Sequence, residues 1–170
     1  MKAGMVIINK EKGDTSQTVV SKVKRKLQVK KAGHIGTLDP LATGVLPVLI
    51  GEATKLSKYF IEHDKTYRAT IQLGVQKDTG DEEGQIIKEV DVGLLDKKIV
   101  ENVLKQMQGK QKQIPPIYSA VKINGKKLYE YARSGEEIEI PARDIEIYAI
   151  KLVNLDEETK QISFEVSCSK

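Results

Sequence analysis

GHIGTLDPLATG, residues 33–44, runs straight into VLPVLI, residues 45–50. The first segment holds three glycines, a histidine, a proline and one carboxylate, a mixture too irregular for helix or strand, and it reads as a functional loop. Gly33, Gly36 and Gly44 shape that loop by allowing backbone angles and close approaches that side chains forbid. Pro40 biases Asp39 towards extended geometry and so fixes where its carboxylate points. The apolar run that follows is expected to be a buried strand from which the loop hangs, a common mounting for reactive groups. Local chemistry alone reads as well as a Gly-rich connector whose Asp39 caps a helix.

Around this stretch, 170 residues suit one domain built around one core. A hydrophobic share of 39% with 31% charged residues is globular, and no apolar run approaches the roughly 18 residues of a membrane span. Met1-Lys2-Ala3-Gly4 begins no secretory signal, so the expected location is cytoplasmic, with no membrane partner. One cysteine, Cys168, and two histidines, His34 and His63, exclude a disulfide and are too few for a zinc cluster, so no metal is expected. The acidic cluster at residues 78–84 superficially resembles a calcium loop but lacks the ligand spacing and closing Glu of an EF-hand. The net charge of +4 is unevenly spread: Lys22, Lys24, Arg25, Lys26, Lys30 and Lys31 crowd the approach to the loop. That cluster fits the backbone of RNA, although charge alone favours a solvated helix face.

The rest of the chain supplies scaffold. Residues 5–9 form a short apolar run, expected to be a buried strand. Turn and cap chemistry at residues 13–16 starts a helix whose apolar stripe is Val19, Val20, Val23 and Leu27. Residues 52–61 have a helical pattern with Leu56 and Phe60 on one face, ending near His63. Residues 65–73 alternate as a half-buried strand that sets Tyr67 on the core side. A short strand is expected at 85–90, and Asp96 caps a helix with Val100, Val103, Leu104 and Met107 as its buried stripe. Asn124-Gly125 is a strong hairpin signal, and the helix at 128–133 carries Tyr129 and Tyr131, whose helical spacing favours core packing. Residues 144–155 and 161–168 are expected to pair as a hairpin. The fold class is therefore α+β: a mixed, mainly antiparallel sheet with packed helices.

GHIGTLDPLATGVLPVLIGEATK (33–55), KTYRATIQLG (65–74) and PPIYSAVKINGKKLYEYAR (115–133) together resemble, in the same order, three stretches of the TruB family of tRNA pseudouridine synthases. In that family a Lys-Pro pair usually stands where this chain has Lys10-Glu11, a departure in turn rigidity, and Lys10 is given no catalytic role. The resemblance implies a pseudouridine synthase fold and an isomerase without cofactor that converts uridine 55 in the T loop of tRNA to pseudouridine by base flipping. It implies a cytoplasmic enzyme of tRNA modification, monomeric at full length, with the T stem-loop as its RNA partner. Asp39 would be the catalytic carboxylate beside C1′, acting as nucleophile or as an electrostatic stabiliser, and Tyr67 would stack on the uracil and assist proton removal. His34 would fill the space left by the flipped base; a loop histidine bonding Asp39 is the alternative. Residues 111–143 would be an RNA-contacting insertion with Lys122, Lys126, Lys127 and Arg133 as phosphate contacts, joining Lys24, Arg25, Lys30 and Lys31 of the basic cluster.

The family continues beyond the point where this chain stops, into a Gly-Thr-Tyr-Ile-Arg motif whose arginine pairs with the aspartate. Residues 1–170 are therefore expected to be an incomplete catalytic domain with negligible activity alone, and able to self-associate through a strand edge left at Cys168. Two other classes remain: a non-catalytic module that binds and remodels the tRNA elbow, and a nucleoside or glycoside hydrolase, which the lack of a second loop acid disfavours.

Overall fold

The computed structural model describes residues 3–60 and 63–169, and the chain divides into two compact units, Met1–His63 and Asp64–Lys170. In the first unit, strand β1 (Gly4–Lys10), helix α1 (Ser16–Leu27), β2 (Ala32–His34) and β3 (Gly44–Ile50) build a three-stranded antiparallel sheet of order β1-β3-β2. Val19, Val20 and Val23 of α1 lock against Leu46, Val48 and Ile50 of β3, as the helical spacing anticipates, with Leu27 packed at the margin. Thr15 is the N-cap, its hydroxyl accepting from the Thr18 amide at 3.0 Å, and Gln28 closes the helix in the left-handed conformation.

Three expectations change here. The segment at residues 33–44 is not wholly loop: Ala32–His34 pairs with β3, Ala32 opposite Ile50 and His34 opposite Val48. The ladder stops one step later, where Ile35 donates to the Pro47 carbonyl at 3.0 Å and Pro47, lacking an N–H, cannot return the bond. Proline thus decides where strand ends and loop begins. Strand β1 is only half buried, because Met5 and Ile7 sit on the face away from α1 and are 41% and 60% exposed. The helix anticipated at 52–61 is a 3-10 helix over Gly51–Tyr59, with Leu56 and Phe60 exposed; Ile61 lies outside the described residues. The Thr54 hydroxyl donates to the Gly51 carbonyl at 2.8 Å and competes with regular α-helical pairing at its start.

The second unit centres on a four-stranded antiparallel sheet of order β4-β11-β10-β7, formed by β4 (Lys65–Gln72), β7 (Gly109–Gln113), β10 (Arg143–Asp156) and β11 (Gln161–Cys168). A hairpin of β5 (Val75–Lys77) and β6 (Ile86–Glu89) follows β4, and helix α2 (Lys97–Gln106) packs on β10. The α+β class and the antiparallel sheet are as expected, and every ladder among the described residues is antiparallel. Asp96 caps α2, accepting from the amides of Lys98 and Ile99. Val100 and Leu104 bury against Ile162, with Leu73, Ile150, Leu152 and Phe164 around them. Length suggested one core; the described residues show two buried clusters, one in each unit.

Val103 and Met107 are 51% and 49% exposed, so only half of the anticipated α2 stripe is buried. Strand β7 was not foreseen, because GKQKQ has no apolar alternation; it is held by the ladder that sets Gly109 opposite Ile147 and Gln113 opposite Arg143. The strand ending at Cys168 is not an edge either, since β11 lies between β4 and β10 and the outer strands are β4 and β7.

Asp78 and Asp81 of the 78–84 segment turn inward on their own loop. Asp78 accepts from the amides of Thr79 and Gln85, and Asp81 accepts from the Thr79 hydroxyl and the Glu83 amide, which holds its carboxyl below the usual range. Gly74 sits at φ +83°, and a Cβ there would lie 2.7 Å from the Val90 carbonyl oxygen. Gly74→Ala is therefore expected to destabilise the chain by roughly 2–3 kcal/mol in urea denaturation. An unchanged midpoint would show that the β5–β6 hairpin yields without cost.

Candidate functional site

The loop carrying Asp39 is held from below by two buried polar side chains. Lys10, at the end of β1, is 1% exposed, and its three ammonium donors reach three carbonyls: Asp14 at 2.7 Å, Glu11 at 3.0 Å and Pro40 at 3.2 Å. A buried ammonium without such partners would cost several kcal/mol, so the three carbonyls explain its tolerance in the interior. The Pro40 carbonyl also receives the Gly13 amide at 2.8 Å. Ser16, 2% exposed in the first turn of α1, donates to the Leu38 carbonyl at 3.0 Å and accepts from the Leu38 amide at 2.9 Å.

Between these anchors Asp39 accepts the Ala42 amide on its own carbonyl at 3.0 Å, closing a turn. Its side chain is exposed and has no hydrogen-bond or ion-pair partner among the described residues. The result is a fixed backbone presenting a free carboxylate. Gly36 at φ +78° and Gly44 at φ +119° occupy the left-handed region where glycine is favoured, whereas Gly33 lies in β2 and has open space where a Cβ would stand. His34 pairs its Nδ1 with the Gly36 carbonyl at 2.6 Å and not with Asp39, so Nδ1 carries a proton and donates it to that carbonyl.

The basic cluster lies in the same unit. Lys24, Arg25 and Lys26 occupy the last turn of α1, where positive charge also suits the helix dipole. Lys24, Arg25 and Lys30 are exposed without ion pairs among the described residues, Lys31 stands 3.9 Å from Glu52, and Lys22 is bound to Asp14 at 2.6 Å.

Tyr67 belongs to the second unit. Its register opposite Val166 places it on the face shared by Phe164 and Ile162, the face that meets α2, yet it remains 41% exposed. Periodicity gave the face correctly, but β4 is the outer strand and α2 rides over β10, so the expected burial does not follow.

Residues 114–142 leave the main sheet between β7 and β10. They contain strands β8 (Lys122–Ile123) and β9 (Lys126–Lys127) and helix α3 (Leu128–Ser134). Asn124 and Gly125 take φ of 51° and 82°, the paired positive angles of a tight two-residue hairpin. Leu128 is fully buried, and Glu130 accepts the Lys127 amide at 2.8 Å. Tyr129 and Tyr131 do not enter an apolar core. The Tyr129 ring lies 5.2 Å from the Lys127 ammonium and 5.3 Å from the Arg133 guanidinium, and Tyr131 lies 4.4 Å from the Lys126 ammonium. Lys126 is also bound to Glu136 at 2.6 Å, whose carboxyl is lowered by that bond, while Lys122 and Arg133 are exposed.

Sequence reading overlooked Lys10 and Ser16 as structural anchors. The available signals were a lysine ending an apolar strand and a second hydroxyl directly after a residue that already caps the helix.

A protein of Psychrobacter cryohalolentis named tRNA pseudouridine synthase B is 51% identical, the match covering 99% of this chain and 48% of that protein. Proteins of the same name from Hydrogenovibrio crunogenus and Clostridium kluyveri are 49% and 48% identical, each over 98% of this chain and 54% and 57% of their own length. The chain thus spans about half the length of these curated relatives. A chain in the crystal structure of a Cbf5-Nop10-Gar1 complex superposes with a TM-score of 0.68 at 28% identity, covering 95% of this chain and 39% of that one. One in the archaeal box H/ACA sRNP Nop10-Cbf5 complex gives 0.61 at 26% identity, covering 95% and 37%. The profile described as TruB family pseudouridylate synthase (N terminal domain) matches residues 24–170, including the Asp39 loop, and the chain therefore belongs to the TruB family.

Proposed function

We propose that the protein containing this chain converts uridine 55 in the T loop of tRNA to pseudouridine, with Asp39 as the reacting carboxylate. The observation that carries the reading is the Asp39 loop itself: one unpaired, exposed carboxylate on a backbone pinned from β1 and α1, within the stretch that matches the family. The chemistry needs one such group. The N-glycosidic bond at C1′ breaks as the carboxylate attacks that carbon or stabilises its positive charge, and the uracil leaves as a delocalised anion. The uracil turns, C5 joins C1′ as any bond from the carboxylate to that carbon breaks, the proton on C5 is removed and N1 takes up a proton, so overall no atom is gained or lost. A uridine inside a folded loop must be flipped out to be reached, and His34, with its Nε2 unengaged, is assigned to the space it vacates. Tyr67 is assigned to stacking on the uracil and to the final proton removal.

The RNA backbone is assigned to Lys24, Arg25, Lys30 and Lys31, and to Lys122, Lys126, Lys127 and Arg133 of the insertion, where Lys126 must first release Glu136. Replacing Lys24, Arg25, Lys30 and Lys31 together by Gln should weaken binding to any T-arm sequence and flatten the slope of log K against log salt by roughly 0.7–0.9 per lost contact. An unchanged slope would assign them to a solvated helix end.

Nucleosides recovered from an unmodified T-arm RNA after incubation with the full-length protein test the function. Pseudouridine supports the isomerase, free uracil indicates a hydrolase, and unchanged RNA with binding retained indicates a module that only remodels the tRNA elbow.

A further inference from the structure

The geometry points to Ser16 as a positioning residue for Asp39, a role that rests on the function proposed above. The direction of the Asp39 side chain depends on the peptide planes on either side of its Cα. The plane between Asp39 and Pro40 is fixed by the Ala42 amide on the Asp39 carbonyl, and the next is fixed through the Pro40 carbonyl by Gly13 and Lys10. The plane between Leu38 and Asp39 has one hydrogen-bond anchor among the described residues, the Ser16 hydroxyl on the Leu38 carbonyl. The same oxygen accepts the Leu38 amide and so fixes the preceding plane too. One buried hydroxyl, using both donor and acceptor, thereby sets two consecutive planes that lead into the carboxylate, across 22 positions of sequence.

Helix capping does not account for this residue. Thr15 is the N-cap and takes the Thr18 amide, so Ser16 would be free to face solvent at no loss to the helix. It is instead 2% exposed and bonded entirely to the loop. With both planes fixed, Asp39 retains only its own side-chain torsions, which is the preorganisation that a carboxylate aimed at one carbon requires.

The test is single-turnover pseudouridine formation at saturating tRNA in the full-length protein, with Ser16→Ala, Ser16→Thr and Asp39→Asn in parallel. Ser16→Ala is expected to lower the rate by roughly 10- to 100-fold, with tRNA affinity within threefold and cooperative unfolding retained. Ser16→Thr, which keeps the hydroxyl, should recover most of that loss. A Ser16→Ala rate within threefold of the unsubstituted protein, or a Ser16→Thr rate no better than that of Ser16→Ala, overturns the positioning role. Asp39→Asn separates the two readings: if it retains turnover, Asp39 is not the reacting carboxylate and the proposed site fails, whereas an inactive Asp39→Asn beside an undiminished Ser16→Ala removes only the role of Ser16. Hydrogen exchange at the Leu38 amide provides a measure independent of activity. It should accelerate at least tenfold in Ser16→Ala, and unchanged protection refutes the clamp.

Discussion

Asp39→Asn in the full-length protein should abolish pseudouridine formation, a loss of at least roughly 10³-fold in single-turnover rate, while tRNA affinity stays within a few-fold. The amide is nearly isosteric with the carboxylate, and the bonds that fix the loop run to backbone groups of Leu38, Asp39 and Pro40 and not to the Asp39 side chain. The substitution therefore removes charge and nucleophilicity without releasing the loop. Only an interaction made in the transition state would be lost, so the effect should fall on turnover and not on binding. Turnover close to that of the unsubstituted protein would remove Asp39 from the chemistry and leave the segment a structural connector.

Lys10→Met should destabilise the chain by about 2–4 kcal/mol in urea denaturation. Methionine matches the stem in length and relieves the cost of burying a charge, which is the term favouring the variant. Against it stand the three carbonyls, of which Asp14 and Pro40 lie at 2.7 and 3.2 Å from the ammonium. Hydrogen bonds to charged groups are worth about 1.5–3 kcal/mol each, so losing the set should outweigh the relief even though Gly13 continues to serve Pro40. A change under about 0.5 kcal/mol would mean that water takes over the carbonyls and that β1 does not anchor the loop.

The elements with strong apolar periodicity were legible from the residues alone. The α1 stripe of Val19, Val20 and Val23, the Asp96 cap and the Asn124-Gly125 hairpin all appear as their local chemistry dictates. What escaped was set by partners distant in sequence. Strand β2 exists because β3 offers it a ladder until Pro47 ends the pairing, and β7, polar throughout, is held by β10. Tyr67 shows the limit of periodicity, which assigns a face but not whether an element reaches over it. At the site, the segment itself was legible in its glycines, proline and single acid. Its anchors, Lys10 and Ser16, were hidden because a lysine and a serine in polar surroundings look like surface residues until the contacts 22 and 30 positions away are known.

Pseudouridine formation turns on one uridine and one bond. Joining C5 to C1′ expels the hydrogen on C5, whereas hydrolysis or mere binding leaves it in place. A full-length protein carrying these residues, incubated in excess with unmodified tRNA bearing tritium at C5 of uridine 55 only, reports that event directly. Stoichiometric tritium release to water, with pseudouridine recovered at that position and release absent in Asp39→Asn, is the predicted result. Bound tRNA that keeps its tritium in intact uridine 55 would contradict the assignment.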